Sequence, residues 1–133
     1  IVRRLVGSEM CIRDSPNSDV CFLGARRDEE TFHPEIYMNT LPDDVDGADV
    51  IVLDPMLATG GSLLHALRVI AASGAGTITA VSVLASPEGV AAIESSGVDG
   101  QLFVGFVDDG LNDSAFIVPG LGDAGDRQFG KIN

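Results

Sequence analysis

"VLDPMLATGGSLLHAL" (residues 52–67) passes from an apolar run to an acid, crosses a short loop of small residues and ends in a helical pattern. The run that leads into it, "ADVIVLD" (48–54), is short, β-branched and apolar, as expected of a buried strand. Beyond the loop, Leu63, Leu67 and Ile70 recur at helical spacing, Ser62 stands where a cap belongs, and Gly74 and Gly76 are stop signals. The stretch therefore predicts strand, loop and helix, with the helix running from Leu63 to about Ser73.

Outward from this unit the same alternation continues. "DVCFLGA" (19–25) reads as a strand and "RRDEET" (26–31) as a charged turn, while "HPEIYMNTLP" (33–42), with Pro at both ends, reads as a strand or β-arm. "DDVDG" (43–47) is a solvated loop. "TITAVSVLAS" (77–86) is a second buried strand, and "PEGVAAIESSG" (87–97) is a helix opened by Pro87 at a first-turn position. "QLFVGFVDD" (101–109) and "AFIVPG" (115–120) are further strands, followed by a glycine-rich tail. Strands near 19–24, 49–53, 77–84 and 101–107 are thus expected in one mainly parallel sheet, with helices at about 63–73 and 87–96. This is an α/β fold built from β-α-β units, with both sheet faces covered. Ligands of such sheets bind at the carboxyl ends of the strands. The loop at 54–62 sits at such an end, as do Asp108 and Asp109.

The chain has 133 residues, one domain's worth, and 45% hydrophobic content is enough for a real core. A net charge of −12 without a local basic patch argues against a broad nucleic-acid surface. The apolar runs are strand-sized, too short to cross a bilayer, and no signal peptide is visible at the N-terminus. Cys11 and Cys21 fit no metal or redox spacing and read as incidental thiols of a cytoplasmic protein. His33 and His65 are each alone and read as structural. The first fifteen residues, "IVRRLVGSEMCIRDS", differ from the rest: three arginines against two acids give +1, which leaves −13 for 16–133. They resemble translated adapter sequence and are set aside as a non-native leader, with natural sequence expected from Pro16 and the true N-terminal part missing. The alternative is a native amphipathic arm.

Thr59, Gly60, Gly61 and Ser62 lie between a strand end and a first helical turn. Glycines let the backbone turn with positive φ and approach a ligand closely. Successive N–H groups then face one concavity, and the helix N-terminus favours an anion. With the two hydroxyls, this composition suits a monophosphate. It is neither a P-loop nor a GxGxxG turn. A tight strand-to-helix turn capped by Ser62 explains the spacing equally well. Asp54, at the mouth of the loop, can accept hydrogen bonds from sugar hydroxyls, or can be an ordinary turn acid beside Pro55.

"VLDPMLATGGS" (52–62) resembles the phosphoribosyl-diphosphate (PRPP) motif of type I phosphoribosyltransferases, in the form used by uracil phosphoribosyltransferases. Most of that superfamily carries two adjacent acids where this chain has Asp54-Pro55, and the departure is typical of the uracil enzymes. "IVPGLGDAGDRQFG" (117–130) resembles the family's uracil-recognition signature, and "GARRDEET" (24–31) and "VLASPEGVAAIE" (83–94) match segments between. The likeness runs in order from about Val20 to Gly130. It implies a type I phosphoribosyltransferase-like α/β fold, incomplete in this chain, and transfer of a phosphoribosyl group from PRPP to uracil, giving UMP and diphosphate in pyrimidine salvage.

By the same resemblance, Arg27 binds the diphosphate of PRPP, joined in PRPP binding by Asp54, Pro55, Met56, Leu57, Ala58, Thr59, Gly60, Gly61, Ser62 and Asp123. Uracil falls to Ile117, Gly122, Asp123 and Ala124, and catalysis to Asp54 and Asp123. Magnesium is implied as a cofactor held chiefly by PRPP oxygens near Asp123, with no direct protein ligand. GTP as an effector and a homo-oligomer of the full-length protein are implied as well. Two competing readings stand beside this one. An RNA-binding pyrimidine-operon regulator on the same fold needs a basic face, yet residues 16–133 carry five Lys/Arg against eighteen acids. An inactive fragment follows if the family's N-terminal portion, with its second diphosphate-binding arginine, has no counterpart in the chain.

Overall fold

A computed structural model describes residues 18–27, 34–42, 45–122, 127 and 130. The expected leader at 1–15 lies outside them. The chain divides into two compact units, Ile1–Asp43 and Asp44–Asn133.

In the first unit, β1 (Leu23–Arg27) pairs antiparallel with β2 (Pro34–Asn39) in a sheet of two strands. The first strand was expected at 19–24 within the parallel sheet; it lies later in sequence and belongs to a separate ladder. Arg26 and Arg27 are strand residues rather than part of a charged turn, and residues 28–31 of that expected turn lie outside the described residues. The arm expected at 33–42 is β2. Its pairing slips between Gly24 and Ala25, and a Cβ on Gly24 would stand 2.6 Å from the Tyr37 ring, so the glycine admits that ring. Thr40 closes the hairpin: the Phe22 N–H donates to its Oγ1 at 2.7 Å, and its own N–H donates to the Phe22 carbonyl at 3.0 Å.

The second unit is an α/β sheet. Along the chain it contains β3 (Val50–Leu53), β4 (Met56–Leu57), α1 (Gly61–Ala72), β5 (Ile78–Ala85), α2 (Pro87–Glu94), β6 (Gln101–Val107), β7 (Gly110–Leu111) and β8 (Ile117–Val118). β5 is the central strand. β3 and then β4 run parallel along one edge, Val50 opposite Ile78 and Leu57 opposite Ala85, and β6 runs parallel along the other. Strands 49–53 and 77–84 are thus neighbours, as the alternation of strands and helices predicts. β7 and β8 form a small antiparallel hairpin beyond β6.

Leu63, Leu67 and Ile70 of α1 are buried, as are Ile78, Ala80 and Leu84 of β5. Each leucine or isoleucine among them contributes about 1.5–3 kcal/mol relative to exposure, so this stripe anchors α1. α1 and α2 lie on the same face of the sheet, where Leu67, Ile93, Ile78, Ala80 and Leu102 surround a common cavity. The opposite face carries exposed Ile51, Leu53, Val83 and Phe103. Coverage of both faces, expected from the sequence, is therefore not met among the described residues: both described helices pack on one side. Ser82 sits in the covered face with its hydroxyl buried and without a hydrogen-bond partner among the described residues. Ser73 is the C-cap of α1 and Gly74 follows it with φ +84, so the helix ends where the glycine signals place it.

Candidate functional site

The register between the strand before the loop and β5 is continuous, yet the ladder is interrupted at Asp54-Pro55. The Asp54 N–H donates to the Val81 carbonyl, and the adjacent Pro55 carbonyl accepts from Leu84 N–H, both at 3.1 Å. In a regular parallel strand only alternate residues bond a given neighbour. Two consecutive residues doing so resets the alternation, and a proline, which has no N–H to place, fits the irregular position. Asp54 is half-buried, and its Oδ1 accepts the Met56 N–H at 3.3 Å, a local turn typical of Asp. Burial pushes its carboxyl above the usual carboxylate range, and the Met56 bond offsets part of that rise.

After Met56–Leu57 the chain turns at Ala58–Gly60 and enters α1. Ser62 was expected to cap a helix starting at Leu63. Instead Gly60 is the N-cap, left-handed at φ 80°, and the helix begins at Gly61. A left-handed N-cap suits glycine, and it leaves the helix with no side-chain cap. The first-turn N–H groups of Gly61, Ser62 and Leu63 have no intrahelical acceptor by construction; the first helical bond runs from Leu64 N–H to the Gly60 carbonyl at 2.8 Å. Thr59, Gly61 and Ser62 are exposed, and the two hydroxyls have no protein partner among the described residues. A concavity of about 90 Å³ is lined by Asp54, Met56, Leu57, Ala58, Thr59, Gly60, Gly61, Ser62 and Leu63. Pro55 is not among the lining residues. The arrangement is a row of free donors at a positive helix end, with one carboxylate at its mouth.

The inner side of this loop is braced by α2, a support that sequence reading missed. Ser86, fully buried, donates from Oγ to the Ala58 carbonyl at 2.6 Å while accepting the Gly89 N–H at 3.0 Å. Its backbone N–H donates to the Leu57 carbonyl at 2.9 Å. One hydroxyl thus caps α2 and ties it to the loop. Gly89 has no room for a side chain, since a Cβ would overlap the Ala58 carbonyl. Pro87 marked the start of α2 in the sequence; the Ser86 cap and its tie to a carbonyl 28 residues away did not show there.

A second assembly stands at the end of β6. Asp108 binds the sheet through its N–H, which donates to the Ala85 carbonyl at 2.9 Å, and its Oδ2 accepts the Gly120 N–H at 2.8 Å. The Asp109 N–H donates to the Val118 carbonyl at 3.1 Å. Asn112 organises the hairpin tip, its Oδ1 accepting the N–H groups of Ser114 and Phe116. Ile117 is buried, Gly122 is exposed, and Gly120 and Gly122 both have positive φ. Arg127 Nη1 donates to the Leu121 carbonyl at 2.9 Å.

The assigned residues therefore divide. The group from Asp54 to Ser62, Pro55 apart, surrounds one concavity. Ile117 and Gly122 lie in the segment fastened to Asp108. Arg27 belongs to β1 in the other unit, and Asp123 and Ala124 lie outside the described residues. Among the described residues no group of three His, Cys, Asp or Glu side chains could hold a metal ion, and no helix is long and apolar enough to cross a membrane. A larger cavity of about 250 Å³ opens at the amino ends of the strands, lined by apolar side chains with Glu94 and Asp99, a lining that disfavours phosphate.

A parallel α/β sheet with an uncapped strand–loop–helix at its carboxyl edge is the arrangement at which α/β proteins commonly bind anions. The uracil phosphoribosyltransferase family profile matches residues 9–131. The uracil phosphoribosyltransferase of Corynebacterium diphtheriae is 51% identical over 118 residues, 89% of this chain and 56% of that protein. That of Corynebacterium efficiens is 49% identical over the same shares. Among solved structures, the AQ2163 protein from Aquifex aeolicus is similar with a TM-score of 0.82 and 45% identity, over 92% of this chain and 59% of that one. The chain belongs to the uracil phosphoribosyltransferase family, and it spans a little over half the length of these relatives.

Proposed function

We propose that the whole protein is a uracil phosphoribosyltransferase, a pentosyltransferase that joins uracil to PRPP and releases UMP and diphosphate in pyrimidine salvage. Family membership along nearly the entire chain carries this reading. The open N–H groups of Gly61, Ser62 and Leu63, with the hydroxyls of Thr59 and Ser62, support a 5′-phosphate site, and the Asp54 carboxylate suits the ribose hydroxyls. Arg27 is assigned to the diphosphate as a permanently charged bidentate donor.

Departure of diphosphate from C1′ builds positive charge on the ribose ring. The protein's work is then to hold sugar and base in line and to stabilise the separating charges. Asp54, a single half-buried carboxylate, fits a magnesium ion held chiefly by PRPP oxygens rather than a resident metal, with Asp123 the second assigned acid. When bound, magnesium supplies charge neutralisation for the leaving diphosphate.

The base site is assigned to Ile117, Gly122, Asp123 and Ala124. Uracil offers acceptors at O2 and O4 and a donor at N3, which main-chain groups can match. Cytosine reverses the pattern at positions 3 and 4 and leaves buried groups unpaired. The assigned compartment is the cytoplasm, since PRPP is too highly charged to cross a membrane unaided. A homo-oligomer belongs to the same reading, supported by the exposed Ile51, Leu53, Val83 and Phe103 on one sheet face; GTP as effector rests on the resemblance alone.

The test is nucleotide formation from PRPP and magnesium with uracil, 5-fluorouracil or cytosine. Both uracils are expected to react, and cytosine to show a kcat/KM lower by on the order of 10⁴. Efficient use of cytosine contradicts the reading.

A further inference from the structure

We infer that Asp108 is a positioning residue for the base site: its carboxylate, seated at the end of β6, fixes the Gly120 N–H and thereby the segment Ile117–Gly122. The inference rests on the transferase reading above. Main-chain groups can read a base edge only if they are held in one arrangement, because a mobile backbone would match uracil and cytosine alike. β7 and β8 cannot impose that by themselves, since each is two residues long and they share two cross-strand pairs, Gly110 with Val118 and Leu111 with Ile117. The chain leaves this short ladder at Pro119 and needs a fastener.

Asp108 meets that need from the sheet. Its N–H is bonded to the Ala85 carbonyl of the central strand at 2.9 Å, so the carboxylate is carried by a residue fastened to that strand. It accepts the Gly120 N–H at 2.8 Å, in the range of a charge-assisted bond. Gly120 has φ +58, and a side chain there would overlap the Ile117 carbonyl, so the turn from Ile117 to Gly120 is compact. One residue on, the Leu121 carbonyl accepts from Arg127 Nη1 at 2.9 Å. Two side chains of opposite charge thus hold consecutive residues, Gly120 by its donor and Leu121 by its acceptor. Glu88 adds a weaker hold on the same hairpin, its Oε1 accepting the Leu111 N–H at 3.3 Å.

The test compares UMP with ribose 5-phosphate, by calorimetry on the chain itself, because the two ligands share the phosphate arm and differ by the base. In Asp108→Ala, UMP affinity should fall about 10- to 100-fold toward that of ribose 5-phosphate, the cost of a misplaced site. Ribose 5-phosphate affinity should stay within about threefold, because its donors lie on the other side of β5. Asp108→Asn keeps an acceptor oxygen and should restore UMP affinity to within about threefold of wild type. Amide exchange of Gly120, read without any ligand, should lose protection in Asp108→Ala and keep it in Asp108→Asn. Equal losses for both ligands, no loss in Asp108→Ala, or failure of Asp108→Asn to restore binding would each overturn the inference. So would a Gly120 amide indifferent to Asp108→Ala, with the transferase reading left intact. A wild-type chain that binds UMP no better than ribose 5-phosphate would instead refute the transferase reading, and with it the purpose given to Asp108.

Discussion

At Asp54 a strand ends in a carboxylate that burial pushes above the usual carboxylate range. In the window between its unfolded and folded pKa values, the folded chain holds a proton that the unfolded chain has lost. Stability therefore falls as pH rises through that window, and the deficit persists above it. Asp54→Asn cannot ionise and keeps an acceptor for the Met56 N–H. The stability of the variant relative to wild type should thus rise as pH increases from acid through and above the usual carboxylate range, as read from urea unfolding at each pH, while its affinity for PRPP falls. A stability difference that narrows with rising pH would contradict the assignment. Gain of stability with loss of ligand is the pattern of a residue kept for binding.

The element that matters most to the cradle is one the sequence places far from it. α2 contributes Ser86 and Gly89, and their contacts with Ala58 set the inner wall of the loop. Gly89→Ala forces a methyl group against the Ala58 carbonyl, and we expect it to cost about 1–3 kcal/mol of stability as overpacking does. A shift in urea midpoint measures this; an unchanged midpoint would mean that α2 does not brace the loop. The strands at 50–53, 78–85 and 101–107 and both helices were legible because apolar periodicity and Gly or Pro punctuation are local signals. The helix start was not, because a left-handed Gly60 replaces the side-chain cap that Ser62 advertises. The first strand was displaced because Arg26 and Arg27 read as turn residues, while the pairing partner that makes them strand residues lies at Pro34–Glu35, beyond any local signal. Ser86 and Asp108 show the other limit: the sequence sets both at strand ends, but the bond each makes to a backbone group many residues away leaves no local signal.

At the scale of the molecule, the loop at 54–62 and Asp108 stand at the carboxyl ends of strands on opposite sides of β5, where a parallel sheet presents its ligand. The central claim of the proposed function is that the loop holds a phosphate of PRPP. Gly61 separates that claim from structural necessity, since a Cβ there meets only the Thr59 hydroxyl at 3.8 Å and the fold has room for it. The decisive measurement is calorimetric titration of Gly61→Val with PRPP and magnesium, paired with its urea midpoint. PRPP affinity should fall by about tenfold or more, because the side chain occupies the space a phosphate oxygen needs beside the free N–H groups, while the unfolding free energy derived from urea stays within about 0.5 kcal/mol of wild type. Unaltered PRPP affinity in a folded Gly61→Val chain would contradict the account.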